Sequence, residues 1–137
     1  MIRNTAVTVC GPLNVNKLGV TYVHEHLMVK PQLPDEYYIP YTLDDEAAST
    51  EETRSFSAAG GETLVEMTPI NYGRNVKAYQ RIAQATGVHV ICCTGFHKQL
   101  FMPPWFGDKT DGELYDILMD EVTNGLDDTE IHPGVIK

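Results

Sequence analysis

The sequence predicts an α/β fold: a (β/α)8 TIM barrel, with this chain covering an N-terminal hairpin and roughly the first half, strands 1–4. Three observations carry that reading. Strand-like and helix-like segments alternate along the chain, a pattern that gives parallel strands covered by helices. The turn after the first parallel strand holds His24-Glu25-His26, where an open nucleotide-binding sheet would carry a GxGxxG turn. The chain has 137 residues, against about 250 for a complete barrel. Residues 1–137 are therefore read as the N-terminal half of one barrel domain, with 1–18 as the hairpin and 19–137 as the first β/α units. Half a barrel leaves an open parallel edge, so the remainder of the barrel after Lys137 is an expected partner.

Taken in order, Ala6 to Cys10 reads as a strand, and Gly11-Pro12 and Asn14 to Asn16 supply the turn chemistry of a hairpin. Gly19 to Val23 is a second apolar run leading into His24-Glu25-His26. Lys30 to Tyr41 is a connection in which Pro31, Pro34 and Pro40 exclude regular helix. Asp44 or Asp45 caps a helix running to about Ala59, stopped by Gly60-Gly61. Thr63 to Met67 is a strand closed by Thr68-Pro69. Asn75 to Thr86 is a helix with Val76, Tyr79, Ile82 and Ala83 on one face and Gly87 as its stop. Val88 to Cys93 is a continuously apolar strand of the kind buried on both faces. After an aromatic and proline-rich loop, Gly95 to Lys109, the run Thr110-Asp111-Gly112-Glu113 fits a capping box. The helix it opens is expected to bury Leu114, Ile117, Leu118 and Val122, and Gly134 to Lys137 begins a last strand. A right-handed β-α progression places the strands at Gly19, Thr63, Val88 and Gly134 side by side in that order.

Composition narrows the functional classes. Hydrophobic residues make up 42% of the chain, ordinary for a globular domain and against disorder. A net charge of −9 argues against a nucleic-acid partner. It leaves anionic substrates open, because a bound cation reverses the field locally. No apolar run reaches the roughly 18 residues of a membrane span, and no signal-peptide core precedes Pro12, so no membrane partner is expected. Cys10, Cys92 and Cys93 are an odd set with two adjacent members. That is a poor disulfide framework, and buried free thiols at Cys92 and Cys93 point to a reducing, cytoplasmic location.

Chemistry concentrates at strand ends. His24 and His26 are two apart where a strand finishes, so both imidazoles face one side and can share a cation such as zinc. Glu25 faces the other way, as a supporting or wall residue. The bland alternative is two surface histidines. Lys137 closes the apolar run Gly134-Val135-Ile136, and an ammonium inside a barrel is costly unless paired or chemically changed. Deprotonated, it can capture carbon dioxide as a carbamate, an anionic group able to bridge two metals. The alternative is a strand-end lysine that reaches solvent.

Four segments, in order, resemble the phosphotriesterase family of the amidohydrolase superfamily. Gly19-Val-Thr-Tyr-Val-His24-Glu25-His26-Leu27 resembles its first-strand signature. Thr63-Leu-Val-Glu-Met-Thr-Pro69 with Gly73-Arg74-Asn75-Val76 resembles the second unit. Ala85-Thr86-Gly87-Val88 with Cys93-Thr94-Gly95-Phe96 resembles the third, and Gly125-Leu-Asp-Asp-Thr129 with Gly134-Val-Ile-Lys137 resembles the segment ending in the metal-bridging lysine. The resemblance implies a hydrolase with two divalent metal ions, zinc being the first choice, held at the barrel mouth. His24 and His26 match ligands of one metal, and Lys137 matches the carboxylated lysine bridging both as a carbon dioxide-derived carbamate with a catalytic role. The family's remaining ligands lie on later strands. A chain truncated at Lys137 is thus expected to aggregate or stay partly unfolded and to show no hydrolase activity.

The mechanism so implied is attack by a metal-bound hydroxide on a lactone, ester or phosphoester. Family members acting on organophosphate triesters tend to carry a tryptophan shortly after the Thr-Gly of the third strand. Here the run is Thr94-Gly95-Phe96-His97-Lys98, which favours a small-molecule lactone or related carboxylic ester. Phe96, His97, Lys98 and Trp105 are candidate substrate-binding residues, with His97 and Lys98 suited to an anionic substituent. Phe101 to Phe106 fits a lid or the contact of a homodimer. A phosphotriesterase or phosphodiesterase on the same site is the competing enzyme reading. A non-catalytic barrel that binds a ligand is the reading from another class.

Overall fold

In the computed structural model of the chain, residues 4–31 and 42–137 are described. The proline-rich connection expected up to Tyr41 falls, from residue 32 onward, outside them. The hairpin pairs β1 (Thr5–Thr8) with β2 (Gly11–Asn14) in antiparallel register, Thr5 opposite Asn14 and Thr8 opposite Gly11. Its turn is Val9-Cys10, two residues earlier than expected, and Gly11-Pro12 belong to the returning strand. The Thr8 side chain makes this turn locally: its hydroxyl donates to the Gly11 carbonyl at 2.7 Å and accepts from the Cys10 amide at 3.2 Å. Val9 is thereby pushed into the core, and its amide donates to the Val90 carbonyl at 2.8 Å.

Four parallel strands follow in the expected order: β3 (Thr21–Glu25), β4 (Thr63–Glu66), β5 (His89–Thr94) and β6 (Val135–Ile136). Among the described residues three α-helices connect them: α1 (Glu46–Ala58), α2 (Val76–Thr86) and α3 (Asp111–Asn124). The sheet is a curled half barrel clad in helices. Leu64, Val90 and Cys92 point to the helix side and form the core with Val76, Tyr79 and Ile82 of α2.

Each helix starts where a side chain can accept its first amides. Asp45, rather than Asp44, caps α1 by accepting from Ala47 and Ala48 at 3.0 Å. Asn75 caps α2, which ends on Gly87 in the left-handed region at φ 78°. Thr110 and Glu113 form the expected capping box of α3. The expected burial of α3 is not found. Leu114, Ile117 and Leu118 are half-buried and Val122 is exposed, because the neighbouring β6 contributes only Val135 and Ile136. All three thiols are free, Cys10 exposed and Cys92 and Cys93 buried; burial pushes both buried thiols up to about 12. No helix among the described residues is long and apolar enough to cross a membrane.

Candidate metal centre

β3 does not run straight into its terminal histidines. Tyr22 pairs with Leu64 and Glu25 with Glu66, so one extra residue of β3 is inserted against β4 between those pairs. Such bulges re-aim side chains at the ends of strands. Tyr22 packs on Phe56 of α1 with ring centroids 4.8 Å apart, on the helix side of the sheet. Beyond the bulge, the His24 and His26 rings stand edge-on with centroids 5.4 Å apart. His24 is exposed and His26 half-buried.

Lys137 comes to the same end of the sheet from β6. Its amide donates to the Thr94 carbonyl at 2.9 Å and its Nζ donates to the Met67 carbonyl at 2.7 Å. Met67 follows β4, and its own amide donates to the Glu25 carbonyl at 2.8 Å. The lysine thus spans the carboxyl ends of β4 and β6 and stops one strand short of the histidines. Gly95 permits this approach: it takes φ 116°, and a Cβ there would run into the Lys137 backbone.

The surroundings favour uncharged donors. Burial, then the Lys137, His24 and His97 charges, hold His26 down at about 4, so its imidazole is neutral near pH 7. Burial also lowers Lys137 from its ordinary value, toward the free amine a carbamate requires. His26 Nδ1 lies 2.8 Å from the Thr68 hydroxyl, which leaves Nε2 as its other nitrogen. Among the described residues no group of three or more His, Cys, Asp or Glu is placed to hold a metal ion. Two imidazoles and a lysine amine at the carboxyl end of the sheet fit a divalent metal as part of a ligand set.

Beneath His26 sits a residue the sequence reasoning passed over. Glu66 is fully buried, accepts from the Leu27 amide, and accepts from the Thr68 amide at 2.8 Å. Its carboxyl is pushed up to about 7 by burial, against hydrogen bonds from Thr68 and Leu27 and the Lys137 charge. An acid ending the apolar run Thr63-Leu64-Val65 was the available signal, since a buried carboxyl demands partners. Tyr72 was also missed. Its ring lies 5.9 Å from His26, 4.7 Å from His97 and 4.8 Å from Phe101, making an aromatic wall beside the histidines.

The four candidate substrate residues divide into two groups. His97 joins that wall, stacked on Phe101 at 5.0 Å, and Lys98 Nζ stands 5.2 Å over the Phe101 ring. Phe96 and Trp105 instead pack on each other at 6.0 Å, with Phe106 at 4.8 Å from Phe96.

The sequence profile of the phosphotriesterase family matches residues 4–137. The chain belongs to the phosphotriesterase family. It is 33% identical to a phospho-furanose lactonase from Mycoplasmopsis synoviae (strain 53), aligning over 100% of this chain and 40% of that protein. It is 30% identical to an N-acetyltaurine hydrolase from Danio rerio, over 98% of this chain and 47% of that protein. Among solved structures, the lactonase Lmo2620 from Listeria monocytogenes superposes with a TM-score of 0.88 at 27% identity, over 96% of this chain and 46% of that one. The chain spans about half the length of the curated relatives it matches. Its phosphotriesterase-family relatives are hydrolases, lactonases among them.

Proposed function

We propose that the protein containing this chain is a cytoplasmic, metal-dependent hydrolase of a lactone or related carboxylic ester, with His24, His26 and carboxylated Lys137 in its metal site. One observation carries the reading: the convergence at one sheet end of two imidazoles, one neutral and fixed through Nδ1, with a lysine amine shifted toward its free form. The domain is read as the first half of one barrel that supplies the remaining ligands. When bound, two divalent cations, zinc by preference, supply Lewis acidity and a water that is nucleophilic at neutral pH.

This chain's own residues hold and orient. The His24–His26 pair offers nitrogen donors, and the Met67 carbonyl holds the Lys137 nitrogen at the end of β4. The Tyr72, His97 and Phe101 rings offer an apolar wall for a small cyclic substrate. Lys98, over Phe101, offers a cation to an anionic substituent. The lactonase relatives favour the ester over the phosphoester, and the phospho-furanose lactonase is consistent with an anionic group.

The test measures metal content and turnover of the intact protein on lactones, carboxylic esters and aryl phosphates. The expected result is about two divalent ions per barrel and lactone hydrolysis, both lost in His26→Ala and Lys137→Ala. Preferential aryl phosphate turnover would move the assignment to a phosphoesterase. Less than about one ion per barrel with no turnover would overturn it in favour of a binding protein.

A further inference from the structure

We infer that Asn71 is a positioning residue for the aromatic wall: its side-chain amide pins the loop after β5 to the loop after β4 and so sets the fit of a cyclic substrate. The purpose of the wall rests on the proposal that the site takes a small cyclic ester, whereas the brace itself does not.

The Tyr72 amide donates to the Pro69 carbonyl at 3.2 Å, closing a four-residue turn in which Asn71 is third. Asn71 takes φ 65°, in the left-handed region. Glycine meets that demand most easily, and asparagine is among the few other residues that visit it routinely. Glycine would serve the backbone angle equally well, so the side chain is explained by what it touches. Its Nδ2 donates to the Phe101 carbonyl at 3.2 Å, across 30 positions of the chain. A carbonyl only accepts, so the amide nitrogen is the atom that faces it.

That carbonyl belongs to the last residue of a short 3-10 turn, Gln99–Phe101. The turn is held by the Phe101 amide on the Lys98 carbonyl at 2.9 Å and the Met102 amide on the Gln99 carbonyl at 3.2 Å. A second bond joins the same two loops nearer the sheet, from the Ile70 amide to the Gly95 carbonyl at 3.2 Å. The rings stand where the two loops meet. Tyr72 lies 4.7 Å from His97 and 4.8 Å from the buried Phe101, and it reaches His26 at 5.9 Å. Without the Asn71 amide the loops keep the inner bond and lose the outer one. The spacing of the wall from His26 is then less sharply set, and small misplacements of a positioning surface are costly.

The experiment uses the intact protein and two substitutions that suit the turn. Asn71→Gly keeps the left-handed backbone and removes the amide. Asn71→Asp keeps the shape and sets a carboxylate oxygen against the Phe101 carbonyl. Hydrogen exchange should show the Phe101 and Met102 amides opening about three- to tenfold faster in both variants, the worth of one hydrogen bond, with α2 amides at wild-type rates. On a panel of γ- and δ-lactones, KM should rise by the same factor while kcat stays within about twofold, because a residue that only holds a binding surface leaves the chemistry alone. Wild-type exchange at Phe101 and Met102 in Asn71→Gly overturns the brace, whatever the substrate proves to be. Faster exchange there with unchanged KM overturns its part in binding, and equal acceleration in α2 reduces it to a general effect on stability and overturns it too. A wild type that turns over no lactone, with faster Phe101 and Met102 exchange in both variants alone, supports the brace and overturns the lactone reading.

Discussion

Helices α2 and α3 both begin on a side-chain cap and both carry apolar residues at helical spacing, yet they are held by different forces. α2 buries Val76, Ala78, Tyr79, Ile82 and Ala83 against the sheet. α3 buries none of its residues. What ties α3 down is charge. Arg74, beside the cap of α2, is 5% exposed and grips Glu121 of α3 through two bonds of 3.1 and 2.6 Å. The same guanidinium bonds Asp127 at 2.6 Å and the Cys93 carbonyl at 3.3 Å. Glu121 also accepts from the Thr94 hydroxyl at 2.5 Å. The comparison teaches that a cap decides where a helix starts, while the sheet beneath decides whether its apolar face is worth anything.

The largest expected effect breaks the charged tether. Arg74→Ala leaves two carboxylates unpaired, Glu121 mostly buried, and should cost the intact protein about 3–5 kcal/mol. Denaturant unfolding measures the loss, and hydrogen exchange should show α3 amides opening well before those of α2. Uniform acceleration in both helices would mean that the network serves the whole wall and not α3.

Ile82→Ala empties a fully buried position and should cost about 2–5 kcal/mol. Ile117→Ala, at a half-buried position, should cost less than about 1 kcal/mol. Equal losses in paired unfolding curves would erase the distinction between the helices. The caps sharpen the comparison from the other side. Asn75→Ala and Thr110→Ala should each cost about 1 kcal/mol, because capping acts on the helix end whatever lies beneath. A cap effect found in α2 alone would show that α3 is not limited by its own N-terminus.

The carboxyl end of the sheet had a mixed legibility. His24, His26 and Lys137 could be picked out because their chemistry is written in single letters at strand ends. Glu66, Thr68 and Tyr72 were not picked out, since each matters through a partner far along the chain: Thr68 meets His26 across 42 positions. Phe96, His97, Lys98 and Trp105 are close in sequence, yet the loop sends His97 and Lys98 to one aromatic cluster and Phe96 and Trp105 to another.

The sequence by itself determined the element order, the capping box of Thr110 and Glu113, the stop at Gly87 and the parallel strand order, because each follows from local hydrogen bonding, periodicity or the handedness of β-α connections. Tertiary structure alone decided the bulge that re-aims β3, the Val9-Cys10 turn that buries Val9, the shallow burial of α3 and the Thr68 contact with His26. Those features depend on which strand lies opposite and on how much sheet lies beneath, and no stretch of neighbouring residues contains either.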